Sequence, residues 1–152
     1  MSHSDFPYNP WPKNKLLKAL GFWWSLPYGI GGFLFILYLL LTGNRLGINK
    51  YEGGVDIIVE GPFAERMKAK GWAALTQGWC MYYWGEANYT VEIACHERMH
   101  VNQALKWGWT FPFVYLAYYI ARVPYRENPF EKDAYNRTAK LMATLSAPES
   151  AA

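Results

Sequence analysis

The sequence predicts an α+β fold: a small, mostly helical domain with a short sheet, preceded by an N-terminal apolar helix associated with a membrane. Three observations predict it. From Ala19 to Asn44, 26 residues pass without a formal charge, ending in the run Phe33-Leu34-Phe35-Ile36-Leu37-Tyr38-Leu39-Leu40-Leu41. Val55 to Val59 is β-branched and apolar apart from Asp56, between Gly53-Gly54 and Gly61-Pro62, which is the pattern of a short strand. Val91, Ile93, His96, His100 and Ala104 recur at helical spacing behind Thr90, a suitable N-cap. A chain of 152 residues supports one modest domain plus an appendage. Residues 1–45 are therefore assigned to a membrane-associated segment and 46–152 to a second, mostly helical domain.

The N-terminal segment is long enough to cross a bilayer only with Pro27 and the glycines at 29, 31 and 32 inside the helix, because a span needs about 20 apolar residues. A helix starting after Pro27 would hold about 15 and suit an interfacial or re-entrant position. Membrane localisation, single-pass or interfacial, follows from either. The apolar run begins late and no small-residue cleavage pattern follows Leu41, unlike a secretory signal. Trp11, Trp23, Trp24 and Tyr28 are expected to form an interfacial belt. Lys13, Lys15 and Lys18 precede the segment while Arg45 and Lys50 follow it, which leans toward a cytoplasmic N terminus with the remaining domain outside.

Composition points the same way. Aromatic residues make up 18% of the chain, with 8 Trp and 12 Tyr, more amphipathic ring surface than a small water-soluble domain needs; membrane lipid or a protein partner is implied. The net charge of +3 is scattered without a basic stripe, so nucleic acid is not an expected partner. Cys80 and Cys95 are too few for a thiolate zinc site or a C-x-x-C pair, and are expected as buried thiols.

Beyond the first strand, Phe63 to Lys70 reads as a short helix ended by Gly71. Trp72 to Trp84, with Gly78 at its middle, reads as one bent strand or a hairpin. It is either an ordinary sheet strand or an edge strand beside the histidine helix, able to hold an extended peptide by main-chain hydrogen bonds. The histidine helix should stop at Gly108. Thr110 is the expected N-cap of a second apolar helix over Phe111 to Arg122, with Pro112 in its first turn. That helix is read as core packing, or as an aromatic surface dipping into lipid. Asn128 as cap and Pro129 at the first helical position open the last helix.

The chemistry is concentrated in His96-Glu97-Arg98-Met99-His100. Positions i and i+4 of a helix lie one above the other, so both imidazoles can reach one zinc ion while Glu97 addresses a water on it. A catalytic zinc takes three protein ligands. His3 lies beyond the apolar segment, and Lys106 occupies the place where the extended metzincin motif has its last histidine. The best remaining ligand is Glu131, 31 residues beyond His100. A glutamate three residues after an Asn cap also suits a capping-box-like arrangement with no metal, and on these residues alone that is the simpler reading. Gln103, one turn below His100, could hydrogen-bond within the helix bundle or orient a ligand, with packing or solvent exposure the simpler expectation.

Together these residues resemble a known group. His96-Glu97-x-x-His100-Val101-x-Gln103, an aromatic helix, then Tyr125-x-x-Asn128-Pro129-Phe130-Glu131-x-x-Ala134 is similar to small bacterial metallopeptidases of the zincin type. Ala74-Leu75-Thr76-x-Gly78 is similar too, and the likeness covers about residues 55–140. The resemblance implies a zincin-like domain of gluzincin arrangement, with one zinc ion held by His96, His100 and Glu131, and Glu97 as general base in hydrolysis of a peptide or protein substrate. Tyr125, Arg126 and Tyr135 become candidates for stabilising an oxyanion, and with Gln103 for orienting a ligand. The chain departs from the pattern at Tyr135, where gluzincins such as thermolysin carry an aspartate that orients a histidine; Asp133 is expected to face away. A different class of function fits the same sequence: a non-catalytic accessory subunit of a larger membrane protein complex, photosynthetic or respiratory for example, with the zincin-like domain as scaffold.

Overall fold

The computed structural model describes residues 8–51 and 54–146. The chain is α+β. Helix α1 (Lys15–Leu41) is followed by strands β1 (Arg45–Tyr51) and β2 (Gly54–Glu60), helix α2 (Pro62–Ala69), strands β3 (Ala74–Gln77) and β4 (Cys80–Trp84), and helices α3 (Val91–Trp107), α4 (Phe111–Ile120) and α5 (Pro129–Ser146). The four strands form one sheet in the order β1-β2-β4-β3, with β2 and β4 parallel and the two outer pairings antiparallel. The segment Trp72 to Trp84 is thus a hairpin. Gly78 sits in its turn at φ 64°, a left-handed conformation suited to glycine, and a Cβ there would lie 2.5 Å from the Gly29 Cα.

Strand β4 is wholly buried, and its alternating side chains feed two cores. Met81 and Tyr83 face α3 and meet Ala94, Val101 and Leu105. Cys80, Tyr82 and Trp84 face the opposite way, onto Ala64 of α2 and Leu39 of α1. Both cysteines are buried free thiols, as expected.

Helix α1 runs unbroken through Pro27, starting at Asn14, whose side chain accepts from the amides of Leu16 and Leu17 at 2.9 and 3.2 Å. Its side toward the sheet is made of small residues as far as Gly32 and then of Phe35, Ile36 and Leu39. Gly21, Ser25, Gly29 and Gly32 are buried, and a Cβ on Gly29 would stand 2.9 Å from the Trp79 ring. Outward stand Trp23, Leu34 and Leu41, at 69%, 62% and 78% exposure. The helix is long and apolar enough to cross a membrane. The expected belt is corrected in two members. Trp11 is buried against Trp79 at 6.2 Å between ring centroids, and Tyr28 turns inward to donate from its hydroxyl to the Thr76 carbonyl at 3.0 Å.

Helix α3 is buried from Ala94 to Val101, all the way round. Arg98 locks its far side to β2, with Nη2 donating to Asp56 Oδ2 at 3.0 Å while the Tyr83 and Tyr89 hydroxyls donate to the same carboxylate at 3.0 and 3.2 Å. Helix α3 ends at Gly108, with φ 61°. The start of α4 differs from expectation: a 3-10 turn over Gly108–Thr110 leads into it, and the Thr110 hydroxyl donates back to the Trp107 carbonyl at 2.6 Å rather than capping α4. His3 lies outside the described residues.

Candidate metal centre

Helical spacing places His96 and His100 on one face of α3, and the Asn128-Pro129 start of α5 brings Glu131 against them. The Asn128 side chain accepts from the Phe130 amide at 3.0 Å, while its own N–H goes to the carbonyls of Pro124 and Tyr125 at 3.1 and 3.2 Å. Glu131 is therefore not used in a reciprocal cap. Its carboxylate turns inward, 2% exposed, with Oε2 3.2 Å from His96 Nε2 and Oε1 3.2 Å from His100 Nε2. The two Nε2 atoms are themselves 3.2 Å apart. His96, His100 and Glu131 thus offer one ligand atom each within a span of 4.8 Å, and this buried group could hold a metal ion.

The donor set fits a cation. Two imidazole nitrogens facing each other have room for one proton between them, and each oxygen of the buried Glu131 carboxylate lies 3.2 Å from one of those nitrogens. The orientation of His100 is set from behind. Gln103 is 4% exposed, and its Nε2 donates to the Phe130 carbonyl and to Asp133 Oδ2, both at 2.9 Å. Its Oε1 is thereby turned to His100 Nδ1, at 2.8 Å. An amide oxygen only accepts, so Nδ1 carries the proton and the Nε2 lone pair faces Glu131 when the ring is neutral. Two expectations are corrected here. Gln103 is neither solvent-facing nor mere packing, and Asp133 does not face away; it reaches His100 through Gln103, because one helical turn of α3 brings the amide between them.

Charge follows geometry. Burial disfavours the His100 imidazolium, but the hydrogen bond and charge of Glu131, then the charge of Glu97 and the Gln103 contact, outweigh it and push its pKa up from 6.5 to about 9 in the metal-free chain. Burial likewise raises Glu131, yet hydrogen bonds from His100 and His96, the charge of His100 and the Tyr115 hydroxyl hold it well below its ordinary 4.5. Tyr115, on α4, donates to Glu131 Oε1 at 2.7 Å.

Glu97 is 7% exposed and is held by β3. The Thr76 hydroxyl donates to Glu97 Oε2 at 2.6 Å, with the Glu97 carbonyl oxygen 3.0 Å away. β3 is the edge strand beside α3. The pairing of Gln77 with Cys80 across the turn directs the N–H and C=O of Ala74 and Thr76 away from β4, and Tyr28 has already taken the Thr76 carbonyl. The three oxyanion candidates sit at the start of α5. The Tyr135 ring lies near the His96 ring at 4.4 Å between centroids, and the Arg126 guanidinium lies over the Tyr135 ring at 4.6 Å from its centroid. Tyr125 is 58% exposed, and burial of its hydroxyl end followed by the charge of Glu131 raises its phenol above 10.

Sequence reasoning missed Thr76 as a partner of Glu97 and Tyr115 as a partner of Glu131, and it gave Tyr28 only a place in the interfacial belt. Each comes from an element remote in sequence; only the presence of Thr76 in a segment already singled out was a signal. Set beside protein-family models, curated proteins and solved structures, the chain matches none of them.

Proposed function

We propose that this chain is a membrane-anchored, zinc-dependent peptidase, with His96, His100 and Glu131 as ligands to one zinc ion and Glu97 as general base. The single observation that carries this reading is the pairing of that three-ligand group with a separately held carboxylate: a site built only to brace the fold has no use for Glu97 fixed by Thr76 beside it. Nitrogens about 2.05 Å from a tetrahedral zinc stand about 3.3 Å apart, which the 3.2 Å separations match. Bound zinc would supply Lewis-acid polarisation of a carbonyl and bring the pKa of a water toward neutrality. The residues do the rest. Thr76 fixes Glu97 through Oε2, leaving Oε1 to take a proton and pass it to the leaving amine. Gln103 holds the His100 proton on Nδ1, and Tyr115 holds the Glu131 carboxylate in position. Tyr125, exposed yet within reach of the Glu131 charge, is the favoured oxyanion donor of the three candidates.

Helix α1 is read as the anchor crossing the bilayer, because most of its large apolar residues face outward while its glycines at 21, 29 and 32 face inward. The same outward faces support the second reading, an accessory subunit docked in a larger membrane complex. The experiment is metal analysis and cleavage of an unbiased peptide library by the detergent-purified protein and by Glu97→Gln. Expected are about one zinc per chain in both and activity in the parent alone; an active Glu97→Gln protein would refute the mechanism. Constant co-migration with other subunits and no cleavage by the parent would favour the accessory reading.

A further inference from the structure

Helix α4 turns one face to the metal centre and leaves most of the other exposed among the described residues. On its inner face Tyr115 bonds Glu131, and the Phe111 ring lies 6.5 Å from the His100 ring. On its outer face Phe113, Leu116, Tyr119 and Ile120 stand 64%, 49%, 73% and 70% exposed. No charged residue occurs from Phe111 to Ala121, while Lys106 and Arg122 flank the helix on either side. A helix apolar all round belongs in a core or in lipid, and α4 is not enclosed by a core.

Continuity with α1 identifies what covers it. The outward Trp24 of α1 meets Trp109 at 6.4 Å, and Trp109 meets Phe113 at 6.1 Å, so the exposed face of α1 runs on into that of α4. Gly108 makes this join possible, since a Cβ there would fall 2.3 Å from the Trp24 ring. A protein partner would have to cover the whole outward length of α1, about 40 Å for its 27 residues, and then α4 as well. A bilayer covers both at once. At ten residues α4 is about 15 Å long, half the hydrocarbon thickness, so it enters one leaflet and does not cross. Lys106 and Arg122 are placed to reach the headgroup boundary.

We propose that α4 is immersed in the same bilayer as α1, that the metal centre consequently lies against the lipid surface with α4 between them, and that its substrate is a peptide segment carried by the membrane rather than one free in water. This rests on the membrane-anchored peptidase reading above and adds the second immersed element and the substrate class. It makes α4 a single helix in contact with lipid on one side and a metal ligand on the other.

The test uses the full chain in vesicles of phosphatidylcholine with a minority of phosphatidylglycerol. Environment-sensitive fluorophores are attached at Leu116→Cys and Ile120→Cys on α4, at Leu34→Cys on α1, and at Glu92→Cys, an exposed site at the far end of α3. Labels at 116 and 120 should be quenched by lipid-attached nitroxide at least about threefold more than the label at 92, and by aqueous iodide correspondingly less. If 34 is lipid-exposed and 116 and 120 respond like 92, the span of α1 stands and this inference falls. If all four respond like 92, both fall. Labels at 116 and 120 shielded from iodide and untouched by lipid nitroxide would place a protein there and overturn the proposal. For substrate class, the same peptide library is presented free in solution and fused to a membrane-spanning helix in the vesicles. Faster cleavage of the tethered form, by about tenfold or more, is expected from its higher local concentration. Equal rates would overturn the substrate assignment while leaving the peptidase reading intact, and no cleavage of either would overturn both.

Discussion

Replacing Gln103 with Met tests whether the site is organised from behind as described. The change removes the acceptor 2.8 Å from His100 Nδ1 and the donor 2.9 Å from both Asp133 Oδ2 and the Phe130 carbonyl. Met keeps the length and apolar stem of a side chain that is 4% exposed, so packing changes little. His100 is then free to rotate or to move its proton to Nε2, where the ligand lone pair must be. Loss of such an outer hydrogen bond lowers metal affinity by about 10–100-fold, which is about 1.4–2.7 kcal/mol. Gln103→Glu keeps an acceptor for His100 while losing both donors. Its affinity should therefore fall between parent and Gln103→Met if the His100 bond carries the effect. The assay is competition for zinc against a chromophoric chelator, using protein in mild detergent at fixed pH. Affinity of Gln103→Met within about threefold of the parent would refute the claim that Gln103 sets the ligand tautomer.

Arg98→Met leaves the buried Asp56 carboxylate with its tyrosine hydroxyl donors and without the guanidinium; a loss of about 3 kcal/mol is expected, seen as a lower thermal unfolding midpoint with metal stoichiometry intact in the folded protein. Gly32→Ala would place a Cβ 2.4 Å from the Gln77 carbonyl oxygen, so α1 must shift at a cost of about 1–3 kcal/mol, read from the same unfolding midpoint. In the metal-free chain the raised pKa of His100 means that its pairing with Glu131 stabilises the fold fully below pH 6.5 and is lost as pH rises through about 9. Metal affinity has the opposite slope, because the ion must displace that proton: it should rise about tenfold per pH unit up to the His100 pKa, with proton release measured by calorimetry in buffers of different ionisation enthalpy.

The parts legible in the sequence were those fixed by local spacing. His96 and His100 meet because four residues make about one turn, and Asn128-Pro129 marks where α5 begins; the inward turn of Glu131 was not legible from spacing, which favoured a cap. Glycines marked the hairpin at Gly78 and the end of α3 at Gly108. β1 passed unread, since Arg45-Leu46-Gly47-Ile48-Asn49-Lys50-Tyr51 mixes charge and glycine in an outer strand whose pairing partner alone defines it. Thr76, Tyr115 and Tyr28 acquire their roles from approaches between α3, α4, β3 and α1 that no spacing rule encodes. Asp133 was misjudged because helical geometry was applied to α5 by itself; the bridge to His100 is a side chain of α3.

The bond from Tyr28 to Thr76 has a consequence for where this protein can be studied. A span tilts to match the thickness of its bilayer. Helix α1, long and apolar enough to span, is bonded to the carbonyl of the very residue whose hydroxyl holds Glu97, so α1 and that carboxylate are separated by two hydrogen bonds. If α1 spans and Glu97 is the general base, as proposed, the thickness of the host membrane becomes a dial on the placement of that carboxylate. Thin and thick bilayers should yield different turnover from one chain, and detergent micelles, which impose no fixed thickness, leave the dial unset.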